Sequence, residues 1–211
     1  MKPFKIEMSE TEKISDKLFE TVRIGKVELR DLGAYLNRVT PQAALANMKL
    51  DELLGSLATI TAETQAPAAE AVTQVASLTR AIMEGADKVR LIEKKFRIKL
   101  DFDASVLKQK GLVNFIGDLS DKLKELDESK RNALLGDLFG RMEAVTAFAT
   151  LSSKIDILRE NIAGIAGVSV STERAFEAAT SSMMFQLRQL SVSFKILLVN
   201  IGGALQPLIS S

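Results

Sequence analysis

Apolar residues near the end of the chain repeat at alternating intervals of four and three residues. These intervals place their side chains along one side of an α-helix, as the a and d positions of a heptad repeat do. The spacing predicts one long helix from about 171 to 206 that packs against another helix, either in this chain or in another copy. We call the predicted self-association stripe the seam, and it consists of Phe176, Met183, Leu187, Leu190, Phe194, Leu197, Ile201 and Leu208.

The composition extends the helical prediction to the rest of the chain. Hydrophobic residues make up 46% of the 211 residues, aromatic residues make up only 5%, and tryptophan is absent. A core of this kind is built from Leu, Ile, Val, Ala and Met, and Ala, Leu, Glu and Lys all favour helices. We therefore expect an all-α protein, with a compact module of short packed helices over 1–165 and a long amphipathic helix over 171–211 that ends in an apolar stretch.

Glycine and proline positions predict where individual helices begin and end. Pro41 follows Thr40, an order typical of an N-cap and the first helical position, so a helix over 27–36 is expected to stop and a new one to begin there. Gly85 is expected to end a helix that starts at Pro67 and has Ala71, Val75, Leu78 and Ile82 on its inner face. Asp127 is expected to cap a helix over about 128–140. Residues 97–103 alternate apolar and polar side chains, which we interpret as an extended connector, with an edge hairpin as the alternative. Residues 164–169 are expected to form a hinge loop.

The charge pattern does not favour sequence-specific nucleic-acid binding. Basic and acidic residues number 28 and 27, for a net charge of +1, and they are spread along the chain. Proteins that grip duplex DNA usually carry a basic excess or a basic stripe. The densest basic cluster, within 88–97, also has acidic residues beside or within it, and we interpret it as a solvated helix face.

Missing residue types argue against an enzyme. The chain contains no Cys and no His, so thiol nucleophiles, zinc–thiolate sites and the commonest general base are all excluded. Two carboxylate pairs, Asp51 with Glu52 and Asp118 with Asp121, are assigned to polar helix faces near Lys49 and Lys122 rather than to a catalytic site. We expect no catalytic residues, no cofactor and no metal.

Four segments, in order, resemble the core region of the phage tail tape measure protein family. The most specific is 127–140, which begins with an acidic, Arg-containing helix start, ends in Leu-Phe-Gly and is followed by an Ala-rich helix over 144–151. The second runs from Ala178 to Leu208 and ends in a similar Gly, Leu and Pro-Leu rhythm. Residues 29–36 and 55–80 match more loosely, so the resemblance covers roughly 25–211.

The resemblance implies a structural role in a tailed phage or prophage. A tape measure protein is a scaffold and ruler for the tail tube, so copies of the chain would bundle in the tail lumen after assembly in the bacterial cytoplasm. The implied partners are other copies, tail tube and tail assembly proteins, and the host membrane through a longer parent chain, with a role in passing DNA into the host. Members of this family are usually much longer, so we expect this chain to be a fragment.

Two other functional classes remain open from the sequence. The apolar end after Lys195 is also compatible with a membrane-inserting or pore-forming module, which liposome binding lost on removal of 195–211 would distinguish. A helical adaptor of non-phage bacteria has the same composition, and a non-viral gene neighbourhood would favour it. An enzyme is the weakest alternative.

Overall fold

The computed structural model describes residues 8–168, with side chains for 13–86 and 88–168. Every regular element in this part of the chain is an α-helix, which confirms the all-α prediction. The helices of the described residues are α1 (Met8–Gly25), α2 (Leu29–Leu45), α3 (Leu50–Thr64), α4 (Ala68–Phe96), α5 (Ala104–Lys110), α6 (Leu112–Lys124), α7 (Glu128–Phe139), α8 (Met142–Ser153) and α9 (Ile155–Gly167).

The centre of the fold is α3. Every residue from Glu52 to Thr61 is buried, because α1, α2, α4, α8 and α9 all pack around this helix. Such a helix has no polar face, so its hydroxyl groups must be satisfied inside the protein. Ser56 and Thr59 do this by donating to the carbonyls of Glu52 and Gly55 one turn earlier, both at 2.7 Å.

The longest helix, α4, does not stop at Gly85 as the sequence predicted. It continues to Phe96, and Gly85 is buried in its interior. A Cβ atom at this position would lie 2.7 Å from Phe102 Cδ1 and would also clash with the Phe102 carbonyl oxygen. Gly85 is therefore present because the 97–103 connector crosses the helix at very short range, and the prediction of a helix end was wrong.

The predicted break at Thr40–Pro41 was also wrong. Helix α2 runs through both residues, and Thr40 donates its hydroxyl hydrogen to the Leu36 carbonyl at 2.8 Å instead of capping a new helix. A proline inside a helix costs about 3 kcal/mol or more. The α2–α4 contact, the most extensive between any two described helices, offsets that cost by burying Leu36, Val39 and Ala43.

The connector over 97–103 is confirmed as non-helical, and no strand forms within 8–168. It turns at Arg97, which has a left-handed φ of 54°, and buries Phe102, whose ring lies 5.3 Å from that of Phe115. A second ring pair, Phe139 and Phe148 at 5.2 Å, joins α7 to α8. The Phe102 and Phe139 rings lie 5.6 Å apart, so aromatic contacts link the connector with α6, α7 and α8.

Two further boundary predictions had opposite outcomes. Asp127 caps α7, accepting a hydrogen bond from the Lys130 backbone N–H at 2.9 Å, as predicted. The hinge loop expected from Gly164 onward was wrong for 164–167, since α9 continues through Gly167. Glycines near the end of an apolar segment resemble a loop in sequence, but here the buried Ile165 holds them in helical geometry.

Candidate assembly site

The predicted seam lies outside the described residues, because all of its members fall within 169–211. What the structure does describe is the helix from which that segment continues. Helix α9 ends at Gly167, and the residues that fix α9 to the module determine how firmly any following helix is attached. The candidate site is therefore the α3–α9 interface.

Close backbone approach holds α9 against α3. A Cβ atom on Gly55 would lie 2.5 Å from Ile162 Cγ1 and 3.2 Å from the Ile162 Cα and N atoms. No side chain larger than hydrogen fits between the two backbones at this crossing. Leu158 and Ile165, both fully buried, pack on the same side of α9. This interface depends on shape, so its geometry tolerates little variation.

Polar contacts fix the position of α9 along the axis of α3. The Asn161 amide nitrogen donates to the Thr59 hydroxyl oxygen at 2.9 Å, which joins the middle of the two helices. At the start of α9, the Lys154 ammonium lies 2.7 Å from a carboxylate oxygen of Glu63. Sliding α9 along α3 would break both contacts, and the helix is therefore fixed in position as well as in orientation.

Helix α1 packs on α3 in the same manner from another side. A Cβ on Gly25 would lie 2.5 Å from the Thr61 hydroxyl oxygen and 3.3 Å from the Ala58 Cα. The Lys17 ammonium forms a 2.6 Å ion pair with Asp51 at the start of α3. α3 is thus held at short range on both the α1 and the α9 side.

The Glu52 carboxylate joins the starts of two helices. One oxygen accepts from the Lys49 backbone N–H at 2.9 Å and the other from the Leu112 backbone N–H at 2.7 Å. These N–H groups begin α3 and α6, and a carboxylate is favoured at a helix N-terminus by the helix dipole. Glu52 is only 7% exposed, so its assignment to a polar face was wrong.

Asp118 and Asp121, the second carboxylate pair, lie on an exposed helix face, as the sequence predicted. Asp118 pairs with Lys110 at 2.6 Å and Asp121 with Lys124 at 2.8 Å. Lys122 lies instead 3.2 Å from Asp101. Asp118 and Asp121 line one side of a groove of about 300 Å³ between α6 and the α8–α9 junction. The groove is open, so both carboxylates remain in contact with solvent.

The carboxyl groups of two helix caps, Asp103 and Asp127, have a lowered pKa. The Ser105 hydroxyl and the Ser105 and Val106 backbone N–H groups hold the pKa of Asp103 below its ordinary value, against a smaller opposing effect of burial. The Lys130 backbone N–H and ammonium lower the pKa of Asp127 in the same direction. Both carboxylates are therefore stabilised in the ionised form that caps α5 and α7.

The described residues contain neither a metal-binding cluster nor a membrane-spanning helix. No group of three or more acidic side chains within them is placed to hold a metal ion. None of the described helices is both long and apolar enough to span a bilayer.

Sequence reasoning did not identify the α3–α9 interface. The signal was the run from Leu53 to Thr61, which contains only apolar and small residues and so has no solvent-facing side. A helix that is apolar or small all round is a buried one. A glycine such as Gly55 inside a run of this kind indicates that another helix approaches the backbone closely.

Comparison with known families gives one match. Residues 1–140 match the model of the phage-related minor tail protein family, which covers α1 to α7 of the described helices and the loop after α7. No curated protein and no solved structure matches the chain.

Proposed function

The chain belongs to the phage-related minor tail protein family, and from this membership we propose that it is the core region of a tail tape measure protein. In this role it is a scaffold and ruler around which tail tube subunits assemble, and it aids the passage of DNA into the host. The single observation that carries the proposal is the family match over 1–140, because it covers two thirds of the chain and most of the described module.

The arrangement of helices supports a ruler of this design. Helix α9 is fixed in register on the central helix α3 by the Gly55–Ile162 approach and the Asn161–Thr59 hydrogen bond. The predicted seam begins at Phe176, nine residues beyond the end of α9 at Gly167, so a bundle formed by the seam would be joined to the module through α9 and its crossing with α3. An α-helix advances about 1.5 Å per residue, which makes helical length a physical measure of distance.

The proposal includes partners and a location. Copies of the chain associate through the seam in the tail lumen, after assembly with tail tube and assembly proteins in the bacterial cytoplasm. The host membrane is a further proposed partner, reached by a longer parent chain of which this chain is a part. The proposed role is structural and not enzymatic, which is supported by the absence of Cys and His and by the ion-pair or capping partners of the four carboxylates considered for catalysis.

A change in seam length tests the ruler directly. Duplication of 176–208 in the phage or prophage that encodes the chain adds 33 residues of the predicted helix, or about 50 Å at 1.5 Å per residue. Mean tail length, measured by electron microscopy of particles, is expected to increase by about that amount. Tails of unchanged length that contain the enlarged protein would contradict the ruler role.

A separate experiment tests the seam. Substitution of Leu187, Leu190 and Phe194 by Asp introduces three charges into the predicted apolar stripe and is expected to abolish tail assembly. The matched control places Asp at Gln186, Gln189 and Ser193, which lie off the stripe on the same predicted helix. The control is expected to assemble tails. Assembly by the seam variant would show that these residues do not mediate self-association.

A further inference from the structure

One side of α4 is exposed along its C-terminal two thirds. At about 100° per residue, the side opposite the buried Leu78, Ile82 and Ile92 contains the position of Asp87 together with six exposed residues, Arg80, Met83, Glu84, Arg90, Leu91 and Lys94. From 80 to 94 this side is about 21 Å long at 1.5 Å per residue. We call it the α4 face.

The α4 face lies in a strongly basic segment of the chain. Residues 80–99 contain seven basic and three acidic residues, for a net charge of +4. The remainder therefore has 21 basic and 24 acidic residues, a net charge of −3, obtained by subtraction from 28 and 27. One of the three acids, Glu93, points away from the face and accepts from the Leu100 backbone N–H at 2.6 Å. A chain that is nearly neutral overall is thus strongly polarised.

Several of these cations have no ion-pair partner among the described residues. Lys88 pairs with Glu84 at 2.6 Å and Lys95 with Asp137 at 2.5 Å, whereas Arg80, Arg90 and Lys94 form no ion pair there. The segment 80–99 has a net charge of +4 with Glu84 and Asp87, which lie on the face itself, included in the count.

The neighbouring cations act on Glu84, an acidic residue of the α4 face. The Lys88 ammonium lowers the pKa of the Glu84 carboxyl through a hydrogen bond and its charge, and the charges of Arg80 and Arg141 lower it further. Arg141 precedes α8, so the cations that act on Glu84 extend from α4 to the start of that helix.

Exposed apolar side chains occur among the cations. The described residues contain four exposed large hydrophobic side chains, and three of them, Met83, Leu91 and Met142, lie on the α4 face or directly follow Arg141. Leu91 and Met142 are each 73% exposed. Single exposed apolar side chains are common on protein surfaces, so the informative observation is that three of these four occur on or next to one basic segment.

We propose that the α4 face binds an anionic lipid surface, with the Arg and Lys side chains on the headgroups and Leu91 and Met142 in the interfacial layer. Cations together with exposed apolar side chains are what peripheral contact with anionic bilayers requires. Duplex DNA would use the cations, but it offers apolar side chains little beyond thymine methyl groups. This contact needs no membrane-spanning helix and does not depend on the ruler role.

Vesicle co-sedimentation of the full chain tests the proposal. Vesicles of phosphatidylcholine with about 30% phosphatidylglycerol are compared with vesicles of pure phosphatidylcholine. On the anionic vesicles each nearby cation of the protein is expected to raise the affinity roughly five-fold. We expect binding only to the anionic vesicles, weakened by salt. Arg90→Glu with Lys94→Glu should weaken it about twenty-fold or more, and Leu91→Ser with Met142→Ser should weaken it without removing the salt dependence.

The control reverses the same number of charges elsewhere. Arg23→Glu with Arg159→Glu changes α1 and α9, neither of which packs extensively on α4, and should bind as the unchanged chain does. Circular dichroism shows whether each variant keeps its helices. Three results would overturn the proposal. The first is equal binding to both vesicle types, and the second is loss of vesicle binding on removal of 195–211 but not in the α4 variants. The third is binding to random-sequence duplex DNA without binding to vesicles.

Discussion

Helices α3 and α4 differ in how much of their surface is buried. α3 has 15 residues and is surrounded by other helices, whereas α4 has 29 residues and buries only one side. The periodicity of α4 made its inner face predictable from sequence, including Ala71, Val75, Leu78 and Ile82, all of which are buried. α3 has no such periodicity, and its central position followed only from the structure. Amphipathic patterns therefore locate the outer layer of this module better than its centre.

The largest difference in stability between the two helices is expected when one leucine in each is replaced by alanine. Leu54 in α3 is fully buried and Leu91 in α4 is 73% exposed. Leu54→Ala should lower the free energy of unfolding by about 3 kcal/mol because it leaves a cavity. Leu91→Ala should change it by less than about 0.5 kcal/mol. Urea denaturation of both variants measures the contrast, and similar losses would show that α3 is not the packed centre.

Adjacent carboxylates at the start of α3 give the second contrast. Glu52→Leu leaves the buried Leu112 N–H without its acceptor, which costs about 2 kcal/mol. Asp51 forms a partly exposed ion pair with Lys17, so Asp51→Ala should cost only about 0–1 kcal/mol. Unfolding free energies from urea titrations compare the two directly. A larger loss for Asp51→Ala would mean that Glu52 does not join α3 to α6.

Two glycines, one at a close helix crossing and one in open space, test how closely the helix backbones approach each other. Gly55→Ala places a methyl group 2.5 Å from Ile162 Cγ1, and overpacking of this kind costs roughly 1–3 kcal/mol. Gly136, inside α7, has no neighbouring atom within 4 Å of the position that a Cβ would take, so Gly136→Ala should stabilise the protein by about 0.5–1 kcal/mol. Thermal melts would show shifts of opposite sign, and two shifts of the same sign would contradict the close α3–α9 crossing.

The smallest effect concerns the Asp103 cap of α5. Its folded pKa is lowered by Ser105 and by backbone N–H groups, so its contribution is present above the ordinary aspartate pKa of about 3.9 and is lost as the pH falls through the lower folded pKa. Asp103→Ala should cost about 1 kcal/mol near pH 7. Denaturation at several pH values should show the difference shrinking below about pH 4, and a constant difference would exclude a charged cap.

The errors of sequence reasoning have a common physical cause. Gly85 and Pro41 are helix breakers in isolation, but both lie inside helices because tertiary contacts outweigh local preference. The Asp127 cap was predictable because it depends on residues only three positions apart. The Glu52–Leu112 hydrogen bond joins residues 60 positions apart, and no local pattern predicts it. The seam remains a prediction, since it lies beyond the described residues.

Quantitative peptide mass spectrometry of purified phage or prophage particles tests the central claim most directly. The proposed tape measure role predicts peptides of this chain at a handful of copies per tail, against a large excess of the tube subunit. Copy number is the deciding quantity, because a ruler bundle contains few chains whereas a tube subunit contributes many. Absence of the chain from every particle, with the protein abundant in the cytosol, would contradict the account and favour a helical adaptor.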